Sequence, residues 1–170
     1  MRTSLFIVLF ALASSVLFAQ EKQVKKVEVD FFFFSKDVDG TIEARDTGST
    51  LNLKDFTQSQ ILGTADVATL DTDNFLRDGH LMWKTYFYER EYPELKFQSN
   101  QITRSSGNNY QVIADITIKG ITKSAVFDAS IVGITIKLEG VIYTSDFDVV
   151  IKDERKENKL EINISLTVEN

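Results

Sequence analysis

"LEINISLTVE", residues 160–169, decides the fold. Leu160, Ile162, Ile164, Leu166 and Val168 alternate without a break with Glu161, Asn163, Ser165, Thr167 and Glu169. A period of two places one set of side chains on a buried face and the other in water, which describes a half-buried β-strand. The same alternation recurs upstream at Val112, Ala114, Ile116 and Ile118, and at Ala125, Phe127, Ala129 and Ile131. A third run holds Ile134, Ile136 and Leu138, with Ile142 continuing the face beyond Gly140. Turn chemistry separates the runs: "SSGNN" at 105–109, "KGITK" at 119–123 and "DERKEN" at 153–158. Weaker strands fit 27–34, 41–44, 49–53, 61–70 and 94–104.

Between two of these strands the pattern changes. "LDTD", residues 70–73, offers Asp71, Thr72 or Asp73 as the cap of a helix starting near Asn74 and ending around Trp83. A shorter turn through 86–89 follows, and Pro93 bars further helix. Residues 75–99 hold the only histidine, tryptophan and proline and three of the five tyrosines. They read as a helical insertion carrying the rare side chains.

About eight strands each present one apolar face, and a single short helix cannot cover them. The sheet therefore covers itself, as a sandwich or by closing into a barrel. A barrel of about eight strands is either filled by its own side chains or encloses a slender ligand, and periodicity is compatible with both. Small residues at inward positions, Gly63, Ala65, Ala114, Ala129 and Gly140, would leave room along the axis; small residues also mark tight bends.

Arg2 followed by the uncharged run 5–19 reads as a secretory signal peptide, with cleavage after Ala19. The expected layout is a leader over residues 1–19 and one domain over 20–170. The run is shorter than a membrane span, and no second one follows, so no stable membrane insertion is expected. Periplasm or extracellular space is the expected location. The chain has 19 basic and 25 acidic residues, net charge −6, and loss of Arg2 takes it to −7. Nucleic acid, which rewards a clustered basic face, is an unsuitable partner. With no cysteine there is no disulfide framework, so a packed core must hold an exported domain together.

The string "TLDTDNFLRDGHLMWKTYFYEREYPELKFQS" followed by "YQVIADITIKGITKSAVF" resembles the YceI-like family of periplasmic, lipocalin-like polyisoprenoid-binding proteins. Carrying the resemblance are Arg77-Asp78 before His80-Leu81, aromatic Tyr86-Phe87, Tyr92-Pro93 leading into Phe97 and Ser99, the "IKGITK" turn at 118–123, and "SDF" at 145–147. Asp148 stands where the family favours glycine, Thr144 where arginine is common, and "DFFFF" at 30–34 is unusually aromatic. The resemblance implies an all-β, eight-stranded antiparallel lipocalin-like barrel, with a short helical insertion capping one end. It also implies an apolar tunnel for a polyisoprenoid lipid or a quinone-like ligand.

The inward alternation supplies a candidate lining for such a tunnel. The strands offer Phe31, Phe33, Ala65, Val67, Leu95 and Phe97, then Ala114, Ile116, Phe127 and Ala129, then Ile136, Leu138, Ile162 and Ile164. The insertion adds Leu81, Trp83 and Phe87, with Arg77 and His80 as rim candidates for a head group. A filled barrel serving a protein partner is the second reading and a hydrolytic enzyme the third, and a homodimer is a further assembly considered.

No catalytic residue, metal or cofactor is expected. A lone histidine without cysteine leaves a zinc site to carboxylates alone, so a hydrogen-bonded structural role suits His80 better. Arg77 and Asp78 are expected to pair with each other or with nearby backbone. Asp146, Asp148 and Asp153 lack the spacing of a calcium loop and read as a solvated loop.

Overall fold

The computed structural model describes residues 22–169; the expected leader and its expected cleavage point lie outside them. Nine antiparallel strands form one sheet: β1 Val24–Phe33, β2 Val38–Ile42, β3 Ala44–Asp46, β4 Leu62–Asp66, β5 Glu94–Ser106, β6 Asn109–Ile118, β7 Ile121–Val132, β8 Thr135–Tyr143 and β9 Lys159–Val168. Their order is β2-β1-β9-β8-β7-β6-β5-β4-β3. β1 also packs beside β3, and bridges from Lys22 to Leu51 and from Thr41 to Asp71 draw the two edges together, so the sheet curls into a nearly closed barrel. Eight strands were expected. The strand expected over 41–44 is cut into β2 and β3, while the one expected over 49–53 does not form, Thr50 and Leu51 making only single bridges to Gln60 and Lys22.

Residues 160–169 behave as their alternation requires. β9 pairs with β1 on one side, Phe31 opposite Ile162, and with β8 on the other, Leu138 opposite Ile164. β6 and β7 meet in a two-residue hairpin, with Ile118 opposite Ile121. Lys119 and Gly120 both have positive φ, 51° and 75°, as the tight turn matching strand twist demands. A side chain at residue 120 would also strike Tyr92, whose ring lies 2.8 Å from where a Cβ would sit. The "KGITK" turn thus docks the helical insertion onto the barrel.

The insertion leaves β4 at what we call the upper end. The expected long strand over 61–70 breaks at Asp66, whose carboxylate accepts from the Ala68 N–H and starts a 3-10 turn, Val67–Thr69. Helix α1, Phe75–Leu81, follows. Its cap is Asn74, whose Oδ1 accepts from the Arg77 N–H at 3.1 Å, rather than the Asp71, Thr72 or Asp73 expected. No helix among the described residues is long and apolar enough to cross a membrane.

At the lower end, residues 47–61 cross beneath the sheet and bury Leu51 and Phe56 completely, the latter edge-on to Tyr110 at 5.0 Å. Ser99 pins this crossing to β5: its N–H donates to the Ile61 carbonyl, and its Oγ accepts from the Ile61 N–H at 2.8 Å.

Candidate functional site

The barrel is filled on one side and open on the other. Phe127 decides where the boundary falls. Its ring meets Phe97 edge-on at 5.3 Å and lies over Gly140, where an added Cβ would come within 2.5 Å of it. Ile136, Leu138 and Ala114 are buried in this packed half. The room that a glycine at 140 was expected to leave is therefore taken by a phenyl ring.

Facing it is a cavity of about 480 Å³. Its walls come from β1 (Val27, Val29, Phe31, Phe33), β2 (Val38, Ile42) and β9 (Leu160, Ile162, Ile164, Leu166). Ala65, Leu95, Phe97, Ile116 and Ile118 continue it across β4, β5 and β6, while no residue of β7 or β8 borders it. The insertion closes over the top with Leu70, Leu81, Tyr86 and Phe87, and the loop after β8 contributes Thr144, Val149 and Ile151.

Of the candidate lining residues, Phe31, Phe33, Ala65, Leu81, Phe87, Leu95, Phe97, Ile116, Ile162 and Ile164 border this cavity, as do Arg77 and His80. Seven stand outside it. Ala114, Phe127, Ala129, Ile136 and Leu138 point inward but into the packed half, because alternation selects a face without saying what fills the space before it. Val67 is buried off the cavity because its 3-10 turn ends the strand phase that would have aimed it inward; its N–H bonds the Pro93 carbonyl. Trp83 lies beyond the helix end with 60% of its surface exposed. Sequence reasoning passed over Val27, Val29, Leu160 and Leu166, although they continue the alternations already identified. Val149 and Ile151 carried no periodic signal, since they come from an irregular loop.

The mouth is shaped by a few polar contacts. Arg77 Nε donates to Thr72 Oγ1 at 2.7 Å and Nη2 to the Thr72 carbonyl at 2.5 Å, and the same Thr72 hydroxyl donates to Asp78. Of the two expected arrangements, Arg77 thus takes the bond to nearby backbone, and it meets Asp78 only through the Thr72 hydroxyl. His80 packs its imidazole edge-on against Trp83 at 4.5 Å.

On the other side of the mouth, the loop from Thr144 to Asn158 is tied down by charge. Asp146 takes a two-pronged bond from Arg155, at 2.7 and 2.6 Å, and Arg155 also lies over the Tyr143 ring at 3.8 Å. That bond holds the Asp146 carboxyl below its ordinary range, against the opposing cost of burial. Lys119 Nζ reaches the carbonyl and carboxylate of Asp148 at 2.8 and 2.9 Å. Two of the three acidic residues are therefore ion-paired to the fold. Asp148 has φ 58°, a left-handed conformation natural to glycine and tolerated by aspartate, which accounts for its standing at a glycine position of the resemblance.

An antiparallel barrel that encloses an apolar cavity beneath a helical cap is lipocalin-like in architecture. More narrowly, the chain belongs to the YceI-like domain family, matching it over residues 13–169. It is 34% identical over 94 residues to a UPF0312 protein of Photorhabdus laumondii, a match covering 55% of this chain and 48% of that protein. The chain thus spans about half the length of that relative. It is 25% identical over 144 residues to Protein YceI of Escherichia coli, covering 79% and 70% of the two chains. Among solved structures it resembles Burkholderia cenocepacia BcnA, with a TM-score of 0.70, 23% identity, and coverage of 85% and 96%. It also resembles a polyisoprenoid binding domain from Saccharophagus degradans, with a TM-score of 0.54, 10% identity, and coverage of 88% and 97%.

Proposed function

We propose that the protein binds a long-chain apolar lipid of the polyisoprenoid class, its tail held in the barrel cavity, and carries it in the periplasm or outside the cell. The observation that carries this reading is the cavity on the β1–β9 wall, large and walled almost wholly by hydrocarbon. Cavities of roughly 300–1,000 Å³ are the size that holds small-molecule ligands. The YceI-like family and the polyisoprenoid-binding neighbour support the ligand class, and the apolar leader supports export.

The energetics are adequate without a charged anchor. Burying a methylene is worth about 0.8 kcal/mol, so one five-carbon unit offers roughly 3–4 kcal/mol. A few units offset an association cost on the order of 4–15 kcal/mol. Such a site binds by tail burial and asks nothing of an acid, a base or a nucleophile, so we read the protein as a binder rather than an enzyme.

The test is direct. Native mass spectrometry and solvent extraction of purified protein should show a copurified isoprenoid, or uptake of added polyprenol by emptied protein. Protein that is empty as isolated and takes up no polyprenol removes the proposal.

A further inference from the structure

Of the nine large apolar residues that the described fold leaves in water, five gather at one end. Phe75 and Leu76 open helix α1 with 83% and 63% of their surfaces exposed, and Trp83 follows at the helix end. Phe34, in the turn after β1, and Val150, in the loop after β8, are also exposed. Strand pairing places all five at the upper end: Phe33 lies opposite Leu160 at the start of β9, Tyr143 opposite Lys159, and Asp66 opposite Glu94, the two residues between which the insertion runs. These exposed side chains therefore share the capped end of the barrel with Lys36, Arg77, His80 and Leu81, which border its apolar cavity, although none of the five borders it itself.

We propose that this rim is a docking surface for a lipid bilayer, with Phe75, Leu76 and Trp83 entering the interfacial layer. The proposal rests on the lipid-binding reading above, which requires the ligand to pass between a membrane and the cavity. Two observations select a bilayer over a protein surface. The first is charge. The chain is acidic overall and Asp71, Asp73 and Asp78 stand beside Phe75 and Leu76, but the residues bordering the cavity include Lys36, Arg45, Arg77 and Lys96 and no aspartate or glutamate, which suits a lipid phosphate at the cavity itself. The second is area. A stable dimer needs roughly 800 Å² from each partner, arranged as a packed patch. Separate side chains at a capped end do not make such a patch. They suit a fluid interface that closes around each of them, where an amphipathic tryptophan is at home.

Trp83 is the chain's single tryptophan and reports on the rim directly. Protein stripped of ligand is mixed with vesicles of phosphatidylcholine, and with vesicles also containing phosphatidylglycerol. The expected result is cosedimentation with vesicles, a blue shift of tryptophan emission, and quenching by brominated acyl chains. The double substitution Phe75→Ser with Leu76→Ser should lower vesicle affinity about a hundredfold, since each side chain contributes about one decade on burial. Both residues are exposed, so the barrel should remain intact by circular dichroism. Substituting exposed Val132 and Ile134, in the hairpin at the lower end, should change nothing.

Absence of wild-type binding to either vesicle, or binding that survives the double substitution, overturns the docking surface. So does a Phe75-dependent dimer in sedimentation that excludes vesicles. Uptake of polyprenol from detergent solution separates this proposal from the one beneath it. A double variant that still takes up polyprenol but ignores vesicles supports docking, whereas vesicle binding by a wild type that takes up no polyprenol supports the rim and removes the carrier role.

Discussion

Asn158 shows how much a single side chain can organise. It is fully buried at the end of the loop after β8, its Oδ1 accepting from the Ile151 and Lys152 N–H groups at 2.9 and 3.0 Å. Its Nδ2 donates to the Lys152 and Glu154 carbonyls at 2.8 and 2.9 Å. One amide thereby satisfies four backbone groups of the segment that carries Ile151 to the cavity wall. In sequence it was the last letter of "DERKEN", which reads as a polar turn because nothing in a run of charges marks one member as buried. Asn158→Ala strands these groups and should cost about 2–3 kcal/mol in urea unfolding. A loss below about 0.5 kcal/mol would mean that water replaces the amide. Gly140 and Phe127 tell the complementary story: the glycine was legible as an inward small residue, but its occupant sits on the neighbouring strand, and only the register joins them.

Among the elements, the strands with unbroken alternation were the most legible, β6 through β9 above all, since a half-buried strand writes its period directly into the chain. The loop between β8 and β9 was the least legible, as its order comes from ion pairs whose partners lie apart in sequence. The Asp146–Arg155 pair predicts how that loop responds to acid. Because the folded state holds the Asp146 carboxyl below its ordinary range, its contribution is present above the unfolded value, about 3.9, and fades as pH falls through the lower folded value. Asp146→Asn should thus lower Tm at neutral pH, and the difference from wild type should shrink toward zero as the solution is acidified below roughly pH 3.9. Thermal melts across that range check it, and a difference that persists at low pH assigns the effect to packing instead. Asp115 works in the same direction, held down by bonds from Asn100 and from Ser124 at 2.8 Å, but on the outer face of β6 and away from the mouth.

For the whole molecule, the all-β class was readable from periodicity and the helical insertion from its capping residues, while the resemblance added the closed barrel and the insertion's place at one end. Whether the interior was hollow was not readable, because the answer depends on where each inward ring falls once the sheet has curled. The two halves respond differently to added bulk. Ala65→Phe intrudes into open space bordered by Leu95 and Phe97, so it should leave the fold standing while cutting polyprenol uptake about tenfold or more, the cost of excluding one or two methylenes. Ala114→Phe intrudes into the packed half and should cost about 1–3 kcal/mol of stability. Parallel melts and uptake assays distinguish them, and equal destabilisation by both would mean that the two halves are packed alike.

The Phe127 wall has one more consequence. A vessel whose every wall leaned on its contents would collapse when drained, and surrendering the cargo would then mean partial unfolding. Here the β7–β8 side is braced by its own side chains, so under the proposed carrier role an emptied form would keep its shape, and release would not ask the container to unfold.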